Sequence, residues 1–407
     1  MSVADSVRSW TDLFAARARA DVGEGLAEIL ALAGNTDLIA FAGGFPDPET
    51  FPSAIAANLM RELVEAGDAS ALQYAPTGGL PSTLDALAAR LATTQGRNPA
   101  SGELMITSGA IEALELAGKS FIDPGDVVIV EGPTYLGAIM AFRSFGADVI
   151  AVPMDEHGLK VDELERRLDD GLKPKLVYTI PDHQNPAGVS LSAERRSELV
   201  AIARTRGFLV IEDVAYRELG FGKETLPSMW SIAPDAVLQI GTTSKTFFPG
   251  VRLGWAAGPP EVVAQLVVAK QNTDQCAGAL GQRLFEEYAR RGLMDEQLER
   301  SRSLYSRRCE VMMTVLESSM PAEASWTRPR GGFFTWLTLP AGFNSIEFVK
   351  HAAEEGVAVV PGVPFFPDGR GADKVRLSFS RVRDELIPEG IERLAKLVRS
   401  GLEGRTR

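Results

Sequence analysis

The sequence has few cysteines and histidines and no long apolar run, and these shortages exclude several classes of protein. Its 407 residues include two cysteines, Cys276 and Cys309, and three histidines. Two lone cysteines provide neither a disulfide framework nor the spacing of a zinc site, so no metal is expected. A membrane-spanning helix needs about 20 apolar residues in a row, and no stretch approaches that length. The first dozen residues also lack the apolar core of a signal peptide. We therefore expect a soluble, cytoplasmic protein.

Positive charge is also in short supply. Lys and Arg number 42 against 54 Asp and Glu, which gives a net charge of −12. An acidic chain is poorly suited to nucleic acid or to an anionic membrane surface, so neither is expected as a partner. The balance still allows a locally basic pocket for a small anionic ligand. The length exceeds that of one ordinary core and predicts two domains.

Short apolar runs alternate with amphipathic stretches through the middle of the chain. Seven strand-like runs are present, at residues 103–107, 127–131, 148–152, 175–180, 208–212, 237–241 and 253–257. Most of them are rich in Val and Ile, which is typical of buried parallel strands. Helices are predicted between them at 110–121, 136–145, 161–168 and 193–206, the last with Ser192 as N-cap and Gly207 as C-cap. We predict an α/β fold with a mainly parallel seven-stranded sheet flanked by helices.

The alternation stops near Pro260. A helical region at about 261–316 follows, and later patterns predict a smaller α+β domain, with strands at 332–339 and 374–380 and helices at 345–355 and 388–400. We therefore predict a large ligand-binding domain over residues 53–290 and a small C-terminal domain over 291–407. The N-terminal segment, residues 1–52, has no place in the parallel sheet and is expected to pack with the small domain.

Two neighbouring strand ends carry acidic, phenolic and amine side chains. The strand at 208–212 is followed by Asp213 and Tyr216, and the strand at 237–241 by Thr242, Ser244 and Lys245. Open α/β sheets bind ligands beyond the carboxyl ends of their strands. Apolar neighbours indicate a partly buried Lys245, whose desolvated amine is a nucleophile that can form a Schiff base. Taken alone, Asp213 is better explained as a helix cap, and most lysines are solvated surface residues.

A third strand end suits a phosphate. Gly109 permits a tight turn into a helix, and the first free amides of that helix belong to Ala110 and Ile111. A helix N-terminus with unpaired N–H groups is a ready anion site. Arg252, seven residues after Lys245, would lower the pKa of that amine and could also pair with a phosphate. As an isolated motif, such a strand-to-helix turn has little specificity.

Two more strand ends add an aromatic ring and an amide. Tyr135 follows the strand at 127–131, and Asn185 lies in the Asn-Pro-x-Gly turn after the strand at 175–180. Each alone has the simpler explanation of a turn or core residue. The five strand ends together fit one ligand, a phosphorylated aromatic aldehyde.

On these residues the sequence resembles the fold-type I aminotransferases that depend on pyridoxal phosphate (PLP), in their class I/II branch, and is similar to 2-aminoadipate transaminases and kynurenine aminotransferase II. The resemblance extends from Phe-Ala-Gly-Gly at 41–44 to Val-Arg-Leu-Ser-Phe at 375–379. Its most specific parts are residues 242–252 and the Asn-Pro-x-Gly turn. The chain order also matches that of the family: Asn185, Asp213, Tyr216, Lys245, Arg252 and Arg376.

The resemblance implies roles around the cofactor ring. Lys245 would hold PLP as a Schiff base and, once displaced by substrate, shuttle the proton at Cα. Asp213 would pair with the pyridine nitrogen, while Asn185 and Tyr216 would hydrogen-bond the ring's 3-oxygen. Tyr135 would stack on the ring face. Lys245, Asp213 and Tyr216 are thus the expected catalytic residues.

The resemblance also implies a phosphate site and a homodimer. The phosphate would be held by backbone amides, hydroxyls and a guanidinium at the following positions: Gly109, Ala110, Ile111, Thr242, Ser244 and Arg252. The family often has Gln where this chain has Ile111, which removes one polar contact but leaves the backbone amide. Tyr74 matches a family Tyr that reaches the phosphate from the partner subunit, so the active sites would be shared across the dimer.

Substrate binding is expected at Gly44, Asn185 and Arg376, with Arg376 clamping the α-carboxylate. An Arg that aligns near Ala27 in 2-aminoadipate enzymes is absent, and Arg17 or Arg19 could replace it. We expect transfer of an amino group from an aromatic or apolar L-amino acid to a 2-oxo acid. A β-lyase, decarboxylase or racemase of the same fold is the main alternative. A DNA-binding regulator that senses PLP is less compatible, because the resemblance begins near residue 20.

Overall fold

The computed structural model describes residues 10–19, 37–67, 69–222 and 225–405, which form three sheets surrounded by helices. The strands in these ranges are β1 (Ile39–Ala40), β2 (Leu104–Thr107), β3 (Val127–Gly132), β4 (Asp148–Asp155), β5 (Gly158–Leu159), β6 (Pro174–Thr179), β7 (Leu209–Asp213), β8 (Val237–Thr242), β9 (Gly254–Ala257), β10 (Ser325–Trp326), β11 (Phe334–Thr338), β12 (Val357–Ala358), β13 (Val360–Pro361) and β14 (Lys374–Ser378).

The α-helices in the same ranges are α1 (Ala16–Arg19), α2 (Ser53–Glu65), α3 (Ala69–Leu72), α4 (Pro81–Gln95), α5 (Ala110–Phe121), α6 (Leu136–Ser144), α7 (Val161–Asp169), α8 (Ala193–Arg206), α9 (Met229–Ile232), α10 (Pro260–Gln271), α11 (Ala279–Arg290), α12 (Leu293–Ser319), α13 (Ser345–Glu354) and α14 (Leu386–Arg405). No helix of the described ranges combines the length and apolar character needed to cross a membrane.

The large sheet has eight strands in the order β2-β9-β8-β7-β6-β3-β4-β5. Strands β4, β3, β6, β7 and β8 are parallel neighbours, whereas β9 runs antiparallel between β2 and β8. All seven predicted strands are confirmed. The predicted number of strands is one too low. The additional strand, β5, pairs antiparallel with β4 and has only two residues, too few to produce a recognisable alternation. The carboxyl ends of β3, β6, β7 and β8 meet at one edge of the sheet.

The helices follow the periodicity of the sequence closely. Helices α5 and α8 have the predicted bounds, and the hydroxyl of Ser192 caps α8 by accepting a hydrogen bond from the Arg195 amide at 3.3 Å. Gly207 ends α8 with a φ of 77°, a conformation that glycine adopts at little cost. The region predicted as helical at 261–316 divides into α10, α11 and α12. Gly292, with a φ of 69°, separates the last two.

A four-stranded antiparallel sheet forms a second unit, in the order β10-β11-β14-β13. With α13 and α14 it confirms the predicted smaller α+β unit. Strand β1 pairs in parallel with β12, with Ile39 opposite Val357 and Ala40 opposite Ala358. This pairing joins an early segment of the chain to the C-terminal part. The domain limits at residues 52 and 290 stay predictions.

The central strands are buried on both faces. In β6, the neighbouring residues Val177 and Tyr178 are both fully buried, and they belong to different apolar clusters on the two sides of the sheet. Successive residues of a strand point to opposite faces, so a central parallel strand needs apolar residues at consecutive positions. The continuous apolar runs of the sequence therefore correspond to the covered centre of the sheet.

A buried ion-pair network holds the loop that leaves β6. Asp182 accepts hydrogen bonds from Arg196 at 2.7 Å and from Arg217 at 3.0 Å, and the Arg196 side chain is fully buried. Burial alone would raise the pKa of Asp182, but the charges of Arg196 and Arg217 outweigh it and lower the pKa to about 2. The network links α8 to the turn after β7, and Asn185 lies only three residues further along the same loop.

We expect Asp182→Asn to lower the free energy of unfolding by about 3–5 kcal/mol, because it leaves two buried guanidinium groups without their carboxylate. Since folding lowers the Asp182 pKa, this contribution is present above about pH 4 and is lost as the pH falls towards 2. Urea unfolding of the wild type and the variant at pH 7, and again at about pH 2.5, inside the window where the contribution is lost, measures it. Asp235→Asn removes the partner of Arg204 in a surface pair and should cost less than about 1 kcal/mol. Equal losses of unfolding free energy in the two variants would contradict the prediction that the buried network contributes more than the surface pair.

Candidate active site

A cavity of about 340 Å³ lies at the carboxyl edge of the large sheet, facing the small sheet. Twelve of the residues predicted for the site line it: Gly44, Ala110, Ile111, Tyr135, Asn185, Asp213, Tyr216, Thr242, Ser244, Lys245, Arg252 and Arg376. They come from segments more than 300 residues apart in the chain. The sequence predicted that these strand ends meet at one edge of the sheet. In the structure, the side chains that follow them surround one cavity.

Two predicted residues do not line this cavity. Gly109 lies just behind it with a φ of 99°, and a Cβ there would stand 2.7 Å from Nη2 of Arg252. A side chain at residue 109 would displace this guanidinium, and the positive φ favours glycine there as well. Tyr74 is 78% exposed and lies outside the cavity of its own chain.

Arg252 borders the start of helix α5. Its Nη2 donates to the carbonyl of Ser108 at 3.2 Å, and its Nη1 lies 3.5 Å from the hydroxyl of Ser244. The hydroxyl of Thr242 donates to that of Ser244 at 2.9 Å. An exposed guanidinium, two hydroxyls and the N-terminal amides of a helix thus converge on one side of the cavity, an arrangement suited to a phosphate.

A second ion network, which sequence reasoning missed, holds the start of α5 in place. The Ser108 amide donates to Glu112 at 2.5 Å, and the fully buried Lys270 donates to Glu112 at 2.7 Å and to Asp274 at 2.8 Å. Asp274 in turn accepts from the Ser108 hydroxyl at 2.8 Å. These contacts join α5 to the end of α10 over about 160 residues, a separation beyond any local sequence pattern.

Lys245 projects into the cavity and donates from Nζ to the carbonyl of Gly44 at 2.9 Å. Burial lowers its pKa to about 8, assisted by the positive charges of Arg376 and Arg252 and opposed by Asp213. About a tenth of the amine is therefore neutral at pH 7, a few hundredfold more than for an ordinary lysine with a pKa of about 10.4. A neutral amine is the form that attacks a carbonyl carbon.

Asp213 is buried at the end of β7 with both carboxylate oxygens occupied. Oδ1 accepts from the Ala215 amide at 3.1 Å, and Oδ2 accepts from the hydroxyl of Tyr178 at 2.8 Å. Burial raises the pKa of Asp213 to about 6, while these two hydrogen bonds oppose the rise. Tyr178 was not predicted, although one signal was available: a phenol next to the aliphatic residues of a buried strand normally has a hydrogen-bond partner.

Arg376, from β14 of the small sheet, is buried without a carboxylate partner in the described part of the chain. Nη1 donates to Oδ1 of Asn185 at 3.0 Å, and Nη2 donates to the Ala42 carbonyl at 2.7 Å. The guanidinium carbon lies 4.5 Å from the ring centre of Phe334 and 4.9 Å from that of Phe365. Burial lowers the Arg376 pKa to about 10, and Nε has no hydrogen-bond partner among the residues that the structure describes. A buried, unpaired guanidinium suits an incoming carboxylate.

Glu131 and Gln184 connect two loops of the site, and neither was predicted. Glu131 accepts from the Thr179 hydroxyl at 2.5 Å and from Gln184 Nε2 at 3.0 Å, and the same nitrogen donates to the Pro133 carbonyl at 2.7 Å. Burial raises the pKa of Glu131 to about 7. These bonds join the loop that carries Tyr135 to the loop that carries Asn185.

The rest of the cavity wall is apolar, formed by Phe45, Leu114, Leu136, Ile180, Ala215 and Phe365. Among the described residues its cations are Lys245, Arg252 and Arg376, and its acid is Asp213. In the sequence, three positions bear on whether an Arg could bind an acidic substrate side chain. Ala27, where that Arg is absent, lies outside the described ranges, as does the side chain of Arg19. Arg17 is exposed.

Comparison with known proteins places the chain in a family. Residues 36–394 match the family described as aminotransferase class I and II. The chain is 38% identical over 381 residues to aromatic-amino-acid aminotransferase 1 of Thermococcus litoralis, with 92% of this chain and 91% of the relative covered. It is 38% identical over 395 residues to 2-aminoadipate transaminase of Thermus thermophilus, with 96% and 98% covered.

A solved structure agrees with these sequence matches. Kynurenine aminotransferase of Pyrococcus horikoshii, crystallised in complex with PMP, superposes with a TM-score of 0.93 at 36% identity, covering 97% of this chain and 98% of the other. The chain therefore belongs to the class I and II aminotransferases. It is an amino-acid aminotransferase that depends on PLP, as the resemblance implied, and the relatives favour this activity over the lyase, decarboxylase and racemase alternatives.

The lowered pKa of Lys245 has a measurable consequence. In protein freed of cofactor, we expect a small amine-acylating reagent to modify Lys245 half-maximally near pH 8 and progressively less below it. Lys175, whose hydrogen bond to Asp126 raises its pKa, should need a higher pH than an ordinary lysine. Peptide mass spectrometry across a pH series compares the two sites in one sample. Identical pH profiles would show that the cavity does not desolvate Lys245.

Proposed function

We propose that the protein transfers the amino group of an aromatic or apolar L-amino acid to a 2-oxo acid, with Lys245 binding PLP as a Schiff base. One observation carries the proposal: the partly neutral amine of Lys245 and the buried, unpaired guanidinium of Arg376 line the same cavity. The amine suits an aldehyde, and the guanidinium suits the α-carboxylate that every amino acid and 2-oxo acid carries.

The residues present fit PLP. When bound, this cofactor supplies an electron sink for the charge that develops at the substrate Cα. Asp213 would accept a hydrogen bond from the ring nitrogen and keep it protonated. Asn185 and Tyr216 would donate to the ring's 3-oxygen, and Tyr135 would cover the ring face. Each of these side chains lines the cavity, so no rearrangement of the sheet is needed.

The phosphate would lie beside Arg252 at the start of α5. There the amides of Ala110 and Ile111 and the hydroxyls of Thr242 and Ser244 are within the same wall. The absence of a side chain at Gly109 supports this placement, because it allows the loop to approach Arg252 closely. The amides need no particular side chain, so Ile111 fulfils this role as well as a Gln.

Arg376 would hold the substrate by its carboxylate, with Asn185 and the backbone at Gly44 beside it. The two phenylalanine rings on its faces limit the directions in which the guanidinium can move. Lys245, once released by the incoming amine, would serve as the general base at Cα. A pKa of about 8 suits that task, because a catalytic base works best when its pKa lies near the working pH.

The side-chain end of the cavity favours an apolar donor. Phe45, Leu136, Ile180 and Phe365 would contact it, and the three cations of the cavity already have the roles given above. Burying a side-chain carboxylate against such a wall is costly unless a partner is present. Aromatic and branched aliphatic side chains gain from the same contacts.

We also propose a cytoplasmic homodimer with shared sites. Tyr74 is 78% exposed, and Leu72 beside it is 69% exposed. Exposed apolar residues of this size, close together, are typical of an interaction surface. Tyr74 of one subunit would then reach the phosphate site of the other. The cytoplasm is supported by Cys276 and Cys309, both free thiols, as is usual in a reducing compartment.

Absorption spectroscopy tests the central claim. Adding PLP to the purified protein should produce the visible band of a Schiff base, and Lys245→Ala should lose that band while keeping its fold. Aromatic and apolar L-amino acids should convert the band to that of pyridoxamine phosphate and release the 2-oxo acid. Their kcat/KM should exceed that of aspartate, glutamate and 2-aminoadipate by at least about tenfold, because an unpaired buried carboxylate is unfavourable.

The results separate the alternatives. No visible band with PLP would refute the proposed function. A band that persists while carbon dioxide, ammonia or the D-amino acid forms would assign a decarboxylase, lyase or racemase. Reaction with dicarboxylic donors alone would retain the aminotransferase and reject the apolar pocket.

Shared sites predict complementation between two defective variants. Lys245→Ala lacks the Schiff-base amine, and Tyr74→Ala lacks the side chain proposed to reach the partner's phosphate. After co-refolding, each hybrid dimer would have one site with both residues intact, so an equal mixture should recover roughly a quarter of the wild-type activity. The separate variants serve as controls. No recovery in a mixture shown to contain hybrids would place Tyr74 outside the active site.

A further inference from the structure

The carboxylate of Asp213 depends on a residue behind the cavity wall. Tyr178 lies on β6, next to β7, and its ring packs edge-on against Phe142 at 5.9 Å between ring centres. It is fully buried and does not line the cavity, yet its hydroxyl donates to Oδ2 of Asp213 at 2.8 Å. It therefore cannot touch substrate or cofactor itself.

In the described part of the chain, the hydrogen bond that the Tyr178 hydroxyl makes is this one to Asp213. Its neighbours Leu176 and Val177 are aliphatic and fully buried, and Phe would fill the same volume in the apolar cluster. Burying a hydroxyl is unfavourable unless it is hydrogen-bonded. Asp213 is its hydrogen-bond partner among the described residues, and burial raises the pKa of Tyr178 well above its ordinary value, so the phenol stays protonated and donates.

We propose that Tyr178 is a positioning residue of the transamination: its hydroxyl holds Oδ2 of Asp213 so that this carboxylate stays ionised and oriented towards the ring nitrogen of the cofactor. The inference rests on the proposed function, which gives Asp213 its role at that nitrogen. It adds a residue that acts only through Asp213.

The charges around Asp213 show why one hydrogen bond matters. The titratable groups that face it are Tyr178, Glu131, Tyr135, Tyr216 and Lys245. Among these, Lys245 is the cation that stabilises the carboxylate, and at a pKa of about 8 it is itself only partly charged near pH 8. The remaining stabilisation comes from the Tyr178 hydroxyl and the Ala215 amide. Of these two donors, the hydroxyl is the one that a side-chain substitution can remove.

The test compares Tyr178→Phe with Tyr288→Phe. Tyr288 is equally buried, and its hydroxyl has no hydrogen-bond partner within the described ranges, so this control loses the same atom without losing a bond. Each protein is loaded with PLP labelled with ¹⁵N at the ring, and NMR reports protonation of that nitrogen. We expect a protonated ring nitrogen at pH 7.5 in the wild type and in Tyr288→Phe, and a shift towards the unprotonated form in Tyr178→Phe.

Kinetics gives a second readout. Tyr178→Phe should lower kcat by about 10- to 100-fold, the effect expected for one hydrogen bond to a charged group, with little change in KM. In an Asp213→Asn background, Tyr178→Phe should lower kcat no further, because the carboxylate through which Tyr178 acts is already absent. Additive losses would assign Tyr178 to general packing and overturn the proposal.

Every outcome distinguishes the inference from the function on which it rests. Absence of a Schiff-base band in the wild type refutes both. A wild type that loads normally, with Tyr178→Phe matching Tyr288→Phe in ¹⁵N shift and kcat, refutes the inference alone. If Tyr178→Phe is too unstable to load, the double variant with Asp213→Asn should regain thermal stability, because the carboxylate left without its donor has gone. Failure to regain it would assign Tyr178 to packing and reject the proposal.

Discussion

An imbalance of buried charge underlies the site. The Lys245 amine and the Arg376 guanidinium share one cavity with a single carboxylate, Asp213, among the described residues. Desolvation penalises each of these groups in its charged form, which lowers the pKa of the two bases and raises that of the acid. A cavity with surplus positive charge and an amine that gives up its proton readily is built for an anionic carbonyl compound. Those are the properties that PLP and 2-oxo acids share.

Two buried ion networks hold the loops around this cavity in place. In these networks, unlike in the cavity, each buried cation has a carboxylate partner. Asp182 pairs with two buried arginines, and Lys270 pairs with Glu112 and Asp274. Each network lies directly behind a loop of the cavity, the first beside the Asn185 loop and the second beneath the start of α5. Breaking a buried pair costs far more than a surface pair, so these loops resist movement. The site can then bind ligands without first having to order its own backbone.

Sequence patterns were sufficient for the seven longer strands of the large sheet and for the side chains at their ends, but not for helices α2 and α4 or for the short strands β10 and β13. Apolar runs, most of them rich in Val and Ile, predicted those seven strands, because a strand covered on both faces must be apolar throughout. The shared carboxyl edge then brought Asp213, Lys245 and Asn185 together. Contacts between distant segments were beyond reach: Tyr178 with Asp213, Glu131 with Gln184, and Arg376 with the Ala42 carbonyl 334 residues away. The two-residue strand β5 was missed because it is no longer than one period of alternation.

Arg376 links the small sheet to the cavity. It belongs to β14, yet it bonds to Asn185 at the edge of the large sheet, and Lys245 bonds across to the carbonyl of Gly44, two residues after Ala42. Both links are hydrogen bonds from a buried cation to a neutral acceptor, which leaves the charge uncompensated. A substrate carboxylate at Arg376 would compensate it and strengthen the link between the two units. A ligand without a carboxylate would leave the charge of Arg376 uncompensated and would bind less tightly.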